Sequence, residues 1–181
     1  MLHETAFNSL PLGAIKPGGW LKDQLEIQAS GFTGCLEEHW KDVGDDNGWL
    51  GGHGESWERG PYYVDGLLPL AYLLEDEALI GKANRWIEWS LTSQRENGMF
   101  GPERITSVNQ DIDKEQDWWH YMIMLKVMMQ HEEATGDERI IPFLTKFFTY
   151  VHSVIEEQPL RGWAKARGAE MLLCIVWLYR R

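Results

Sequence analysis

Two stretches of this chain superimpose at a fixed offset, and that offset limits what the chain can become. Laying Trp57 over Trp118 shifts the sequence by 61 residues. The same shift lays Leu67 on Met128, Leu68 on Met129, Asp76 on Asp137, Leu79 on Ile140 and Trp86 on Phe147. Each stretch reads as a helix, a tight turn and a second helix, with apolar residues at three- and four-residue spacing on both sides of the turn. Asp76 and Asp137 stand where a side-chain oxygen accepts from the first free N–H groups of the following helix. Helical hairpins repeated in this way stack into solenoids or closed toroids. An ordinary helix bundle is the plain alternative.

Glycine and proline mark the other boundaries. Pro11 and Pro17-Gly18-Gly19 set off an extended leading segment over residues 1–18. A helix is expected from Gly19 or Trp20 to about Leu36, with Leu21, Leu25 and Ala29 at four-residue spacing. Residues 44–54 form a turn-rich loop. Pro61 suits the first turn of the next helix, and Pro69 inside it predicts a kink or a break. Residues 99–114 lack periodicity and read as a long loop. Further helices are expected from Asp117 to Glu133, from Asp137 to about Gln158, and from about Trp163 onward. No segment reads as a strand. The expected fold is all-α: one domain over residues 1–181, made of antiparallel helical hairpins.

Composition removes several classes of function. The chain has 181 residues, 44% of them apolar, enough for one packed core. Its net charge of −11 argues against nucleic acid, which needs basic surface, and against an anionic membrane face. No apolar run is long enough to span a bilayer. The Met1-Leu2-His3-Glu4 start has neither a basic nor an apolar leader region, so a cytoplasmic location is expected for the chain as given. Cys35 and Cys174 are far apart and are expected to be free thiols. No histidine pair has metal-ligand spacing on a helix, and the Gly51-Gly52-His53-Gly54 run follows no strand, so neither a metal nor a cofactor is predicted.

Ten tryptophans remain to be explained. Three helices open on tryptophan beside charge: Trp57-Glu58-Arg59-Gly60-Pro61-Tyr62-Tyr63, Asp117-Trp118-Trp119-His120, and Trp163-Ala164-Lys165-Ala166-Arg167. An indole face covers the C–H face of a sugar ring, and carboxylates and guanidinium groups bond its hydroxyls. Trp57, Glu58, Arg59, Tyr62, Asp117, Trp118, His120 and Arg167 are therefore the candidate carbohydrate-contacting residues, expected on one concave surface. Glu55, Glu58, Asp65, Asp111, Asp113, Glu115 and Asp117 supply carboxylates near the same mouth, and a glycosidase needs two across the scissile bond. Asp117 reads equally well as a helix cap, and Glu58 as a partner for Arg59.

Ordered motifs along the chain resemble one family. They are Leu10-Pro11-Leu12-Gly13-Ala14-Ile15-Lys16-Pro17 with Gly19-Trp20-Leu21, Gly31-Phe32-Thr33-Gly34, Glu55 to Tyr63, Asp117-Trp118-Trp119, Glu133 to Arg139, and Trp163 to Gly168. Together they are similar to the N-terminal part of glycoside hydrolase family 127, the β-L-arabinofuranosidase-like proteins. The resemblance implies an (α/α)6 toroid, of which six or seven helices make roughly half. It also implies a carbohydrate partner, from plant-type glycans. The family's enzymes use a cysteine nucleophile, a zinc ion held by cysteines and a glutamate, and a glutamate acid/base. Cys35 and Cys174 do not match that cysteine pattern, so no catalytic or metal residue carries over, and the chain is expected to be an inactive partial hydrolase. Full-length relatives can be secreted or periplasmic. A half-toroid would also expose Leu172, Val176 and Tyr179 as a seam for self-association. A non-catalytic binding or scaffold module is the alternative.

Overall fold

The computed structural model describes residues 6–7, 9–103 and 117–181. Among these residues there are eight α-helices and no strand. They are α1 (Trp20–Ser30), α2 (Phe32–His39), α3 (Arg59–Leu74), α4 (Glu77–Thr92), α5 (Trp119–Thr135), α6 (Ile140–Val154), α7 (Gly162–Ala166) and α8 (Gly168–Tyr179). Short 3-10 turns at Lys41–Val43 and Gly48–Leu50 shape the loop ahead of α3.

Cross-helix bonds define two layers. Trp57 meets Asp117, Glu58 meets Trp119, Asp65 meets Lys126 and Tyr72 meets His131. Partner numbers climb together, so α3 and α5 run side by side in one direction. The third parallel member is α8: Arg167 lies over Trp119 near its start, and the Trp177 indole donates to Glu133 near its end. The second layer contains α4 and α6, also mutually parallel. There Arg139 pairs with Glu88, Gln94 donates to the Phe143 carbonyl, and Lys146 donates to the Arg95 carbonyl. The α1–α2 run belongs to this second layer. Its start lies near the end of α3, where Lys16 reaches the Tyr72 carbonyl and Glu75, and its end lies near the start of α3, where Glu37 accepts from Tyr63.

The sequence offset is a spatial repeat. Leu67 and Met128, Leu68 and Met129, Leu79 and Ile140, and Trp86 and Phe147 are all buried. The hairpin corners match as well. Asp76 accepts from the N–H groups of Ala78 and Leu79, and Asp137 from that of Arg139. The residues before them, Glu75 and Gly136, both take the left-handed backbone, with φ of 57° and 69°. Arg139 then bridges Asp137 to Glu88, and its guanidinium holds the Asp137 carboxyl well below the usual range. Within the first layer, flanked by α3 and α8, α5 is buried nearly all round, as expected of a helix covered on every side. Trp49, fully buried, anchors the aromatic cluster of Trp89, Phe100, His120 and Tyr121. Burial of a side chain such as Phe100 contributes about 1.5–3 kcal/mol.

Three elements differ from the sequence expectation, one of them the last helix, which divides at Arg167 into α7 and α8. The first helix does not continue to Leu36: Gly31 interrupts it, and α2 begins at Phe32. The corner closes so tightly that a Cβ on Gly34 would fall on the carbonyl of Ala29. Pro69, in contrast, breaks nothing, and α3 runs on through it to Leu74. It forfeits one backbone bond, while the burial of α3 on α4 and α5 keeps the helix in place.

The corner geometry gives a direct test. Glu75 is the one non-glycine residue with positive φ among the described residues, and Gly136 fills the matching corner without a Cβ. Glu75→Gly is expected to raise unfolding stability by about 1 kcal/mol, less roughly a few tenths for the exposed Lys16 ion pair. Gly34→Ala is expected to lower stability by more than about 2 kcal/mol. Urea denaturation measures both, and a Glu75→Gly variant no more stable than its parent would show an unstrained corner.

Candidate functional site

The parallel arrangement of α3, α5 and α8 brings their N-terminal ends together. Each such end carries free N–H groups and partial positive charge. Carboxylates answer them. Glu55 accepts from the backbone N–H groups of Trp57 (3.0 Å) and Arg59 (3.4 Å), and from the Asn47 amide (3.2 Å). Asp117 accepts from the Trp119 N–H (3.0 Å) and the Trp57 indole (2.8 Å). Burial pushes both carboxyls above their ordinary range, partly offset by these bonds. Glu58 accepts from the Trp119 indole at 2.7 Å. Arg59 pairs with Asp42 rather than Glu58, and its guanidinium lies 5.1 Å from the centre of the Trp40 ring.

The eight candidate residues divide into two groups. Trp57, Asp117, Trp118 and His120 are buried, so they are corrected from open contact surface to core. The Trp118 indole donates to the Gln158 carbonyl (2.9 Å), and its ring packs on Tyr121 and Phe147. Glu58 and Arg59 are half-buried, while Tyr62 and Arg167 are exposed. Three of these four gather around Trp119: Glu58 bonds its nitrogen, Tyr62 sits 5.9 Å from its ring centre, and Arg167 lies 5.1 Å over its face. Trp119 was not among the eight, although the 61-residue offset sets it opposite Glu58. Trp40 (39% exposed), Tyr62 (45%) and Trp163 (51%) offer aromatic surface at this end.

Of the seven candidate carboxylates, Asp111, Asp113 and Glu115 lie outside the described residues. The other four have structural partners. Glu55 and Asp117 serve the helix starts, Glu58 holds Trp119, and Asp65 accepts from Lys126 at 2.8 Å. A hollow of about 530 Å³ opens beside the glycine-rich loop, lined in part by His53, Trp89, Arg95 and Glu103. The loop's amides are turned inward, with Gly52 N–H donating to the Asn47 carbonyl and His53 N–H to Asp46. Arg95 is committed to the carbonyls of Phe100 and Gly101.

The zinc and thiolate chemistry implied by the family resemblance does not fit the described residues. Cys35 donates to the Gly31 carbonyl, and Cys174 is buried in α8 with its thiol pushed up to about 12 by burial. Among the described residues no group of three or more His, Cys, Asp or Glu is placed to hold a metal ion. No described helix is long and apolar enough to cross a membrane. Comparison with family models, curated proteins and solved structures returns no match.

His120 has a measurable consequence. Both its ring nitrogens are buried without a hydrogen-bond partner, between Trp49 and Tyr121. Burial pushes its pKa from 6.5 down to about 3. Below pH 6.5 the unfolded chain therefore takes up a proton that the folded chain refuses. The stability is fully present above that pH and falls by about 1.4 kcal/mol per unit as pH drops toward the folded value. In His120→Phe the ring is retained and the titration removed. Unfolding free energies between about pH 6.5 and pH 4 are expected to fall more steeply in the parent than in the variant. Parallel curves would mean that His120 finds a partner.

Proposed function

We propose that this chain is a carbohydrate-binding portion of an (α/α) toroid, related to β-L-arabinofuranosidase-like glycoside hydrolases and without their complete catalytic set. One observation carries the reading. Three parallel helices start at one end, and exposed aromatic and charged groups gather there around Trp119. Tyr62 and Trp163 supply faces for the C–H side of a sugar ring. Arg167 and Glu58 supply a donor and an acceptor for its hydroxyls. The all-helical fold in two layers supports this reading, in which α3, α5 and α8 would be the inner helices. Structural duties of Glu55 and Asp117 support binding over hydrolysis, because both carboxylates are taken up by backbone and indole N–H groups.

Titration with arabinose and other pentoses, followed by tryptophan fluorescence, tests the proposal. Binding is expected in the millimolar to high micromolar range, roughly 4 to 6 kcal/mol. Tyr62→Ala and Arg167→Ala are each expected to weaken it about threefold to tenfold, while hydrolysis of an aryl arabinofuranoside stays at background. Unchanged fluorescence and heat of mixing into the tens of millimolar would sink the sugar surface. Turnover abolished by Glu58→Gln would overturn the non-catalytic reading.

A further inference from the structure

The contacts around Trp119 belong to a longer row that crosses the helix starts. On one side of Trp119, the Tyr62 ring centre lies 5.9 Å away. Arg59 stands three residues before Tyr62 on α3, which makes the two neighbours on the helix surface. The Arg59 guanidinium in turn lies 5.1 Å from the centre of the Trp40 ring, just past the end of α2. On the other side, the Arg167 guanidinium lies 5.1 Å over Trp119. Trp163, four residues before Arg167, shares its face of the α7 turn, and its carbonyl accepts from the Arg167 N–H at 2.9 Å.

Width and charge say what such a row can hold. Since α3 packs on α5 and α5 on α8, the starts of α3 and α8 are two helix spacings apart, about 16–20 Å. Trp40 lies beyond that span, on the far side of Arg59. One sugar ring stacks on one aromatic face, so a monosaccharide beside Trp119 leaves Trp40 uncovered. Charges of both signs are interleaved along the row. Arg59 pairs with Asp42, Glu58 accepts from the Trp119 indole, and Arg167 pairs with Glu170 at 3.7 Å. With its cations answered by carboxylates, the row has no excess charge for a polyanion. Exposed aromatic faces flanked by donors and acceptors suit a neutral chain of hydroxyl-bearing rings.

We propose that the row from Trp40 to Trp163 binds one neutral oligosaccharide, laid across the starts of α3, α5 and α8. The proposal rests on the carbohydrate reading and adds to it the size of the ligand and an outer contact, Trp40. A ring of the chain occupies the centre, beside Tyr62, Trp119 and Arg167. Rings on either side of it reach Trp163 and Trp40. Each added ring brings its own stacking and hydroxyl contacts without a second loss of translational freedom, so affinity rises with chain length until the row is filled.

Titration calorimetry with arabinose and a linear arabinotetraose tests it, in the parent and in two variants at the outer contact, Trp40→Ala and Trp40→Tyr. The tetrasaccharide is expected to bind the parent at least about tenfold more tightly than the monosaccharide. Trp40→Ala is expected to lose about fivefold or more of the tetrasaccharide affinity while arabinose affinity stays within about twofold. Trp40→Tyr keeps an aromatic face and is expected to retain most of the tetrasaccharide affinity. Helical circular dichroism checks the fold of both variants, and the affinity ratio in the parent decides even if Trp40→Ala unfolds. A tetrasaccharide that binds no more tightly than arabinose overturns the extended row and leaves the carbohydrate reading standing. Binding of neither sugar overturns both. A folded Trp40→Ala that weakens the two sugars alike, or neither of them, removes Trp40 from the row and overturns the proposal.

Discussion

Everything in this structure hangs on the parallel contact between α3 and α5. Helices lying side by side in one direction present like ends to each other, and their free N–H groups accumulate at one place. The chain resolves this with a buried carboxylate, Asp117, that accepts from the start of α5 and from the Trp57 indole just ahead of α3. Glu55 serves α3 in the same way. These bonds cost the acids their hydration, which is why both titrate high. Replacing either by an apolar residue would leave buried N–H donors unpaired, a larger penalty than the bonds themselves are worth. The register of the first layer, and through it the position of α8, follows from this arrangement.

That same arrangement decides which groups are left for binding. The strongest acceptors at the helix starts are consumed by backbone and indole N–H groups. What remains accessible is aromatic edge and face, the Arg167 guanidinium and the free part of Glu58. The proposed carbohydrate binding would use this surface.

The hairpins and their corners were legible because they depend on local chemistry. Aspartate caps, the left-handed corner at Gly136 and apolar spacing act within a few residues. In the structure the offset of 61 residues also relates contacting pairs, Glu58 with Trp119 and Asp65 with Lys126. The helix break at Gly31 was not legible, since it depends on the carbonyl of Ala29 filling the space where Gly34 lacks a side chain. Nor was the burial of Trp57, Trp118 and His120. A tryptophan beside charge at a helix start looks the same whether its indole donates inward to Asp117 or turns outward to a ligand.

By itself, then, the sequence determined the helical class, the repeat and its period, because turn chemistry and side-chain periodicity are properties of short segments. Tertiary structure decided which face of each helix start meets solvent. A carboxylate at such a position has two competing uses, neutralising the helix end or meeting a ligand. The choice depends on how close the neighbouring helix brings its own donors. At 2.8 Å, the Trp57 indole makes that choice for Asp117. At the exposed start of α8, Arg167 lies over Trp119 and pairs with Glu170.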